Sequence, residues 1–370
     1  MENAAPPNPP GPVEGEPFTS SHTSNFPDLL RELRISLLVS TYQAGKLIVV
    51  RADGPSLNTH FRDFLSPMGL AYDPSTGCLA VGTRHEVWHF FNEPAVAPKV
   101  PPAERHDAAF LPRRCHISGD IRIHEIAWAA GELWAVNTRF SCLCTFDNLH
   151  SFVPRWRPPF ISMLAAEDRC HLNGVAVIDG RPRYVSCLGV SDAVGGWREN
   201  KRDGGCLLDI DTGLPVITGM CMPHSPRRYG GRDWILESGV GSLSVADFGS
   251  GKREVVTKLP GFTRGLDFCR NIAFVGLSQV RETAIFSGIP VASEERSCGV
   301  WAVDLLTGRT VAFLRFEGIV QEIFAIQVLP DILYPDLINE PGELLDGSFV
   351  LPDADISQQN PQPPPDQNRG

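Results

Sequence analysis

The sequence predicts an all-β fold, a closed β-propeller of six blades with four antiparallel strands each. Three observations carry that reading. A short phrase followed by β-type alternation recurs six times: Met68-Gly69-Leu70-Ala71-Tyr72, His124-Glu125-Ile126-Ala127-Trp128, Asn173-Gly174-Val175-Ala176-Val177, His224 ahead of Ser225-Pro226, Arg264-Gly265-Leu266-Asp267-Phe268, and Gln321-Glu322-Ile323-Phe324. Its copies lie 56, 49, 51, 40 and 57 residues apart, near the roughly 40–50-residue spacing of propeller blades. Six pairs of β-rich runs accompany the six phrases. The first pair precedes every phrase and the last phrase follows every pair, so the ring is expected to close by sharing one blade between the chain ends.

In chain order, residues 1–24 read as a proline-rich tail without a packable face, expected to be disordered. Leu37–Val39 and Leu47–Val50 form the first hairpin, predicted to share a blade with residues 321–328; that closure covers sheet edges that would otherwise template aggregation. Hairpins follow at Leu79–Val81 with Val87–Phe90, Leu133–Val136 with Leu143–Phe146, Tyr184–Ser186 with Cys206–Ile210, Trp234–Glu237 with Ser242–Ala246, and Ile272–Val275 with Gly299–Val303. Residues 25–335 thus read as one domain, and residues 336–370 as an extension largely disordered from about position 352.

Composition narrows the function. Apolar residues at 42% and charged residues at 21% are those of an ordinary globular protein. The N-terminus lacks a basic stretch followed by an apolar core, and no apolar run approaches the ~18 residues of a membrane span; a cytoplasmic protein without membrane contact is the expectation. The ten cysteines form no CxxC pair and lie mostly inside strand runs, where they read as buried free thiols. A net charge of −10 without a basic block argues against nucleic acid as a partner.

Local chemistry is more pointed. In a four-stranded antiparallel blade, the connection into the innermost strand and the hairpin between the second and third strands emerge on one face. His124, Asn173, His224, Arg264 and Gln321 should then ring the mouth of the central channel, with Arg84, Arg139, Trp197, Arg198 and Arg281 around them.

The wording of several segments resembles a known family. Asn137-Thr138-Arg139-Phe140-Ser141-Cys142-Leu143, Ser151-Phe152-Val153-Pro154-Arg155-Trp156-Arg157-Pro158-Pro159, Glu167-Asp168-Arg169-Cys170-His171-Leu172-Asn173-Gly174, Gly195-Gly196-Trp197-Arg198-Glu199-Asn200-Lys201, Met222-Pro223-His224-Ser225-Pro226-Arg227 and Leu259-Pro260-Gly261-Phe262-Thr263-Arg264-Gly265 are similar to domain of unknown function 4915. Some members of that family occur with tetratricopeptide repeats. The resemblance, over about residues 25–335, implies a propeller-like fold and brings no established activity.

Site chemistry therefore rests on the residues. His124, His171 and His224 are the candidate metal ligands, with Glu322 completing a shell or acting as a base; imidazoles and a carboxylate suit zinc, iron or manganese. Asn173 with Glu322 and Asp120 would suit calcium. The competing reading has the histidines hydrogen-bonding between blades. Arg139, Arg157, Arg198 and Arg264 form either a clamp for a carboxylate or phosphate or salt bridges to Glu125, Asp168, Glu199 and Glu322. Trp197 is placed in a pocket wall. Glu322, Arg264 and Asp120 are the candidate catalytic residues, and Arg139, Arg157, Asn173, Trp197 and Arg198 the candidate ligand-binding ones. Two function classes follow: an enzyme, metal-dependent in one form, acting on a small anionic substrate or peptide group as hydrolase, lyase or oxidoreductase; or a non-catalytic module binding a protein or peptide.

Overall fold

A computed structural model describes residues 18–279 and 288–352. Arg281 and the tails at 1–17 and 353–370 lie outside the described residues. Six antiparallel sheets form a ring. Their innermost strands are Leu70–Asp73, Ile123–Ala129, Leu172–Ile178, Pro223–Tyr229, Phe262–Cys269 and Ala325–Pro330. Each packs against the innermost strand of the next blade, and the sixth packs back against the first.

The ring closes as the sequence predicts. Ala325–Pro330 pairs with Ile35–Thr41, with Leu37 opposite Val328 and Val39 opposite Ile326, and Lys46–Asp53 and Ser56–Asp63 complete that blade. A second clasp was not expected. Ser20–His22, within the tail predicted to be disordered, adds a fifth strand outside Thr310–Phe316. The helix Phe26–Leu33 then carries the chain to the closing blade and buries Phe26, Leu30 and Leu33 against Phe274, Phe316 and Ile35. Pro335–Leu337 likewise extends another blade by pairing in parallel with Ala108–Phe110.

Alternation makes these strands: Leu37, Val39, Ile48 and Val50 fill one inter-blade layer, and Leu38, Leu47 and Val49 fill the next. A blade core is therefore sandwiched on both faces, so strands such as Ile35–Thr41 are buried at every position. Glycines let the inner strands approach closely near the axis. A Cβ on Gly69 would lie 2.9 Å from the backbone nitrogen of Ile126, and one on Gly265, whose φ is +80°, 2.8 Å from that of Ile326.

All ten cysteines are free, and eight are buried. No helix among the described residues is long and apolar enough to cross a membrane.

Candidate functional site

The head of each inner strand places one side chain at the upper end of the channel: Met68, His124, Asn173, His224, Arg264 and Phe324. The sixth position differs from the sequence reading by three residues. Ala325, not Gln321, begins the strand, so Phe324 takes the axial place. Gln321 and Glu322 lie in the preceding connection.

A belt of hydroxyl groups fixes the heads of these strands. Ser40, Thr138, Ser238 and Ser278, each at the end of a blade's second strand, donate to the carbonyls of Met68, Leu172, Thr263 and Ile323 at the start of the next blade's inner strand. Two of these hydroxyls also set the tautomers of axial histidines. Nδ1 of His124 lies 2.7 Å from Thr138 Oγ1 and 3.3 Å from the Arg122 carbonyl. Nδ1 of His224 lies 2.9 Å from Ser238 Oγ and 3.0 Å from the Met222 carbonyl. Each hydroxyl has already given its single proton to a carbonyl, and carbonyls only accept, so Nδ1 must be the protonated nitrogen in both rings. Nε2 is left as a lone-pair acceptor. Burial, reinforced by Arg264 and the neighbouring imidazoles, pushes both histidines well below their ordinary 6.5.

His171 sits above this tier, in a turn where both Asp168 (φ +49°) and His171 (φ +51°) are left-handed. That turn brings both Asp168 carboxylate oxygens to 3.0 Å from His171 Nδ1. The imidazole packs at 4.7 Å edge-on to His124 and at 4.3 Å from Trp197. Asp168 also receives Arg122 at 3.2 Å and Arg198 at 3.6 Å. The carboxylate partner of the histidines is thus Asp168. Asp120, a candidate catalytic carboxylate from the sequence, instead pairs with Arg139 at 2.7 Å and approaches Arg84 at 3.7 Å.

Arg264 differs from its neighbours. Its guanidinium stacks 3.6 Å from the Phe324 ring centroid and forms no hydrogen bond or ion pair with another described residue. Burial lowers its pKa to about 10, while the charges of Glu322 and Tyr42 act in the other direction. His124, His224, Asn173, Phe324 and Arg264 line a cavity of about 20 Å³.

The remaining expectations resolve as follows. The three imidazoles gather at one mouth, but among the described residues no set of three His, Cys, Asp or Glu side chains is arranged to hold a metal ion. Nδ1 of each ring is committed to a protein partner, which leaves Nε2 as the coordinating atom, and the cationic Arg264 guanidinium beside His124 and His224 opposes a metal ion's charge. Asn173 accepts from the Ser186 hydroxyl at 2.6 Å and donates to the Pro223 carbonyl at 2.9 Å, so its amide ties two blades together. Trp197 is 3% exposed and packs with Leu188, Met222 and Phe262, walling the site only through its edge on His171. Arg198 stacks over Trp197 at 4.5 Å. Arg157 is exposed and follows the outermost strand of its blade, Val153–Trp156, so it stands on the rim, away from the axis.

The sequence reading missed Thr138, Ser238 and Phe324, and it placed Asp168 only as a salt-bridge partner of the arginines, not beside His171. A signal existed for the first two, because a hydroxyl residue recurs near the end of every second strand: Ser40, Thr83, Thr138, Ser186, Ser238 and Ser278.

One solved structure supports the architecture. A chain in the crystal structure of a nidogen/laminin complex matches 80% of this protein over 99% of its own length, at 10% identity and a TM-score of 0.51; at that identity the likeness concerns the fold alone. A protein of unknown function from Bacteroides caccae matches 80% of the chain over 98% of its own, at 10% identity and a TM-score of 0.49. Curated proteins give no match. The pattern of Domain of unknown function (DUF4915) covers residues 24–338, and on that match the chain belongs to the DUF4915 family.

Proposed function

We propose that the upper mouth of the channel binds a small ligand through an anionic group held by Arg264, with the His171–Asp168 pair as the proton acceptor for acid–base chemistry on that ligand. The observation that carries the proposal is the isolation of Arg264. On the same face, Arg84 and Arg139 pair with Asp120, and Arg122 and Arg198 with Asp168, whereas Arg264 is held on an aromatic face with no carboxylate in contact among the described residues. A desolvated guanidinium is costly to leave unpaired, and a carboxylate or phosphate matches its fork. Asp168 holds His171 by Nδ1, which leaves Nε2 as the nitrogen able to exchange a proton with a ligand. The reading requires no metal.

Thermal unfolding in the presence of acetate, glycolate, phosphate and sulfate, at ionic strength matched with sodium chloride, tests it. A ligand at one hundred times its Kd should add about 2.7 kcal/mol of stability, and Arg264→Gln should remain folded and lose the response. An unresponsive wild-type protein, or a variant that responds equally, would overturn the proposal.

A further inference from the structure

We infer that the ligand of the axial site carries a hydroxyl group beside its anionic group, as a small 2-hydroxycarboxylate does, and that the Nε2 atoms of His124 and His224 select for that hydroxyl. The inference rests on Arg264 as the anion holder and adds what stands next to the anion.

The hydroxyl belt dictates the complement. Thr138 and Ser238 have spent their protons on the Leu172 and Thr263 carbonyls, so both imidazoles keep Nδ1–H and turn an acceptor toward the cavity they line with Arg264. Glu125 and Arg227 also line the cavity but are paired with each other, so it offers two imidazole lone pairs and the Arg264 guanidinium. An acceptor-only group such as a second carboxylate oxygen would face those lone pairs and find no proton there. An ammonium group would supply protons but would stand against Arg264. A hydroxyl can donate to an imidazole and still accept from the guanidinium.

Size points the same way. About 20 Å³ is room for one water-sized group. A carboxylate or phosphate does not fit inside, so it must remain toward the mouth while a single oxygen enters. A hydroxyl reproduces the hydrogen bonds that water would make in that place, whereas a methyl group does not, and sites built to bond a hydroxyl reject analogues lacking it. Burial keeps the two rings neutral and hence as acceptors at neutral pH.

Calorimetric titration of the full chain near pH 8, above the ordinary imidazole range, should separate glycolate from acetate and lactate from propionate. Each hydroxy acid is expected to bind the wild-type protein about tenfold more tightly than its partner, the size of one net hydrogen bond. In His224→Phe that preference should shrink while acetate binding persists. Equal affinity within both pairs in the wild-type protein overturns this inference alone, whether or not the variant folds. Absence of any binding that Arg264→Gln removes overturns the reading of Arg264 and this inference with it.

Discussion

The two ends of the central channel are built from the same inner strands, yet they complete their polar groups in different ways. At the lower end the charged groups Glu125, Arg227, Arg228 and Asp267 have protein partners. Glu125 and Arg227 form an ion pair between two blades, and Arg227 also donates to the Val175 carbonyl of the blade between them. Asp267 accepts from Gln327 Nε2 at 2.9 Å and from the Val328 amide at 2.7 Å, and Gln327 in turn accepts from the Tyr72 amide. A roomier cavity of about 220 Å³ lies there, and its charged lining groups are paired, although the Trp128 indole nitrogen has no hydrogen-bond partner among the described residues. At the upper end, nearer the start of each strand, two imidazoles present open nitrogens and a guanidinium stacks without an anion in contact among the described residues. Cavity volume alone would favour the lower end as the site; the unpaired cation favours the upper one. The comparison teaches that in a propeller channel the informative quantity is which groups the blades leave unsatisfied.

Breaking the lower end should cost the most stability. Arg227→Met leaves Glu125 buried without its cation and should destabilise the protein by about 3 kcal/mol, read by denaturant unfolding. The loss should be smaller at acidic pH, because burial has pushed Glu125 up to about 7 and the unpaired acid can take up a proton. Ser238→Ala should cost about 2 kcal/mol by leaving the buried Thr263 carbonyl without its donor, and it should loosen the tautomer of His224, visible as a change in its imidazole nitrogen shifts.

The pH dependence sharpens the contrast further. His124 and His224 are held below 6.5 in the folded chain, so below that pH the unfolded state binds more protons and folding stability falls as pH decreases. Glu125 acts in the opposite sense: its folded value of about 7 lies above the ordinary 4.5, so its contribution is present below 4.5 and is lost as pH rises through 7. A melting-temperature profile should therefore show an acid limb below 6.5 that His124→Phe makes shallower. An unchanged limb would mean that His124 is not buried as a neutral ring. The smallest expected effect on stability is that of Arg264→Gln, about 0.5–1 kcal/mol from the lost stacking on Phe324, since among the described residues none loses a hydrogen bond with it.

Much of this was legible in the sequence. Period-two alternation fixed the strands, and the order of the first hairpin and last phrase revealed the closure, because both follow from burial. The sixth inner strand was set three residues early, since Gln321-Glu322 imitates the polar head of the other copies, whereas Ile326 and Val328 carry the alternation that pairs with Leu37 and Val39. Ser20–His22 was hidden because a three-residue edge strand needs no pattern of its own. The gathering of His124, His171 and His224 at one mouth followed from topology. The choice of Asp168 over Asp120 did not, although the three-residue spacing of Asp168 and His171 in one turn was a local clue. Which arginines would be neutralised was not legible, because those pairs join connections from different blades.

Side-by-side calorimetric titration of Arg264→Gln and Asp267→Ala with glycolate separates the two ends of the channel. Arg264→Gln is expected to stay folded and bind no glycolate, while Asp267→Ala, which removes the acceptor of the Gln327 side-chain amide and the Val328 backbone amide, is expected to be less stable and to bind glycolate with wild-type affinity. Binding retained by Arg264→Gln and lost by a folded Asp267→Ala would place the ligand at the lower end and overturn the assignment of the upper one.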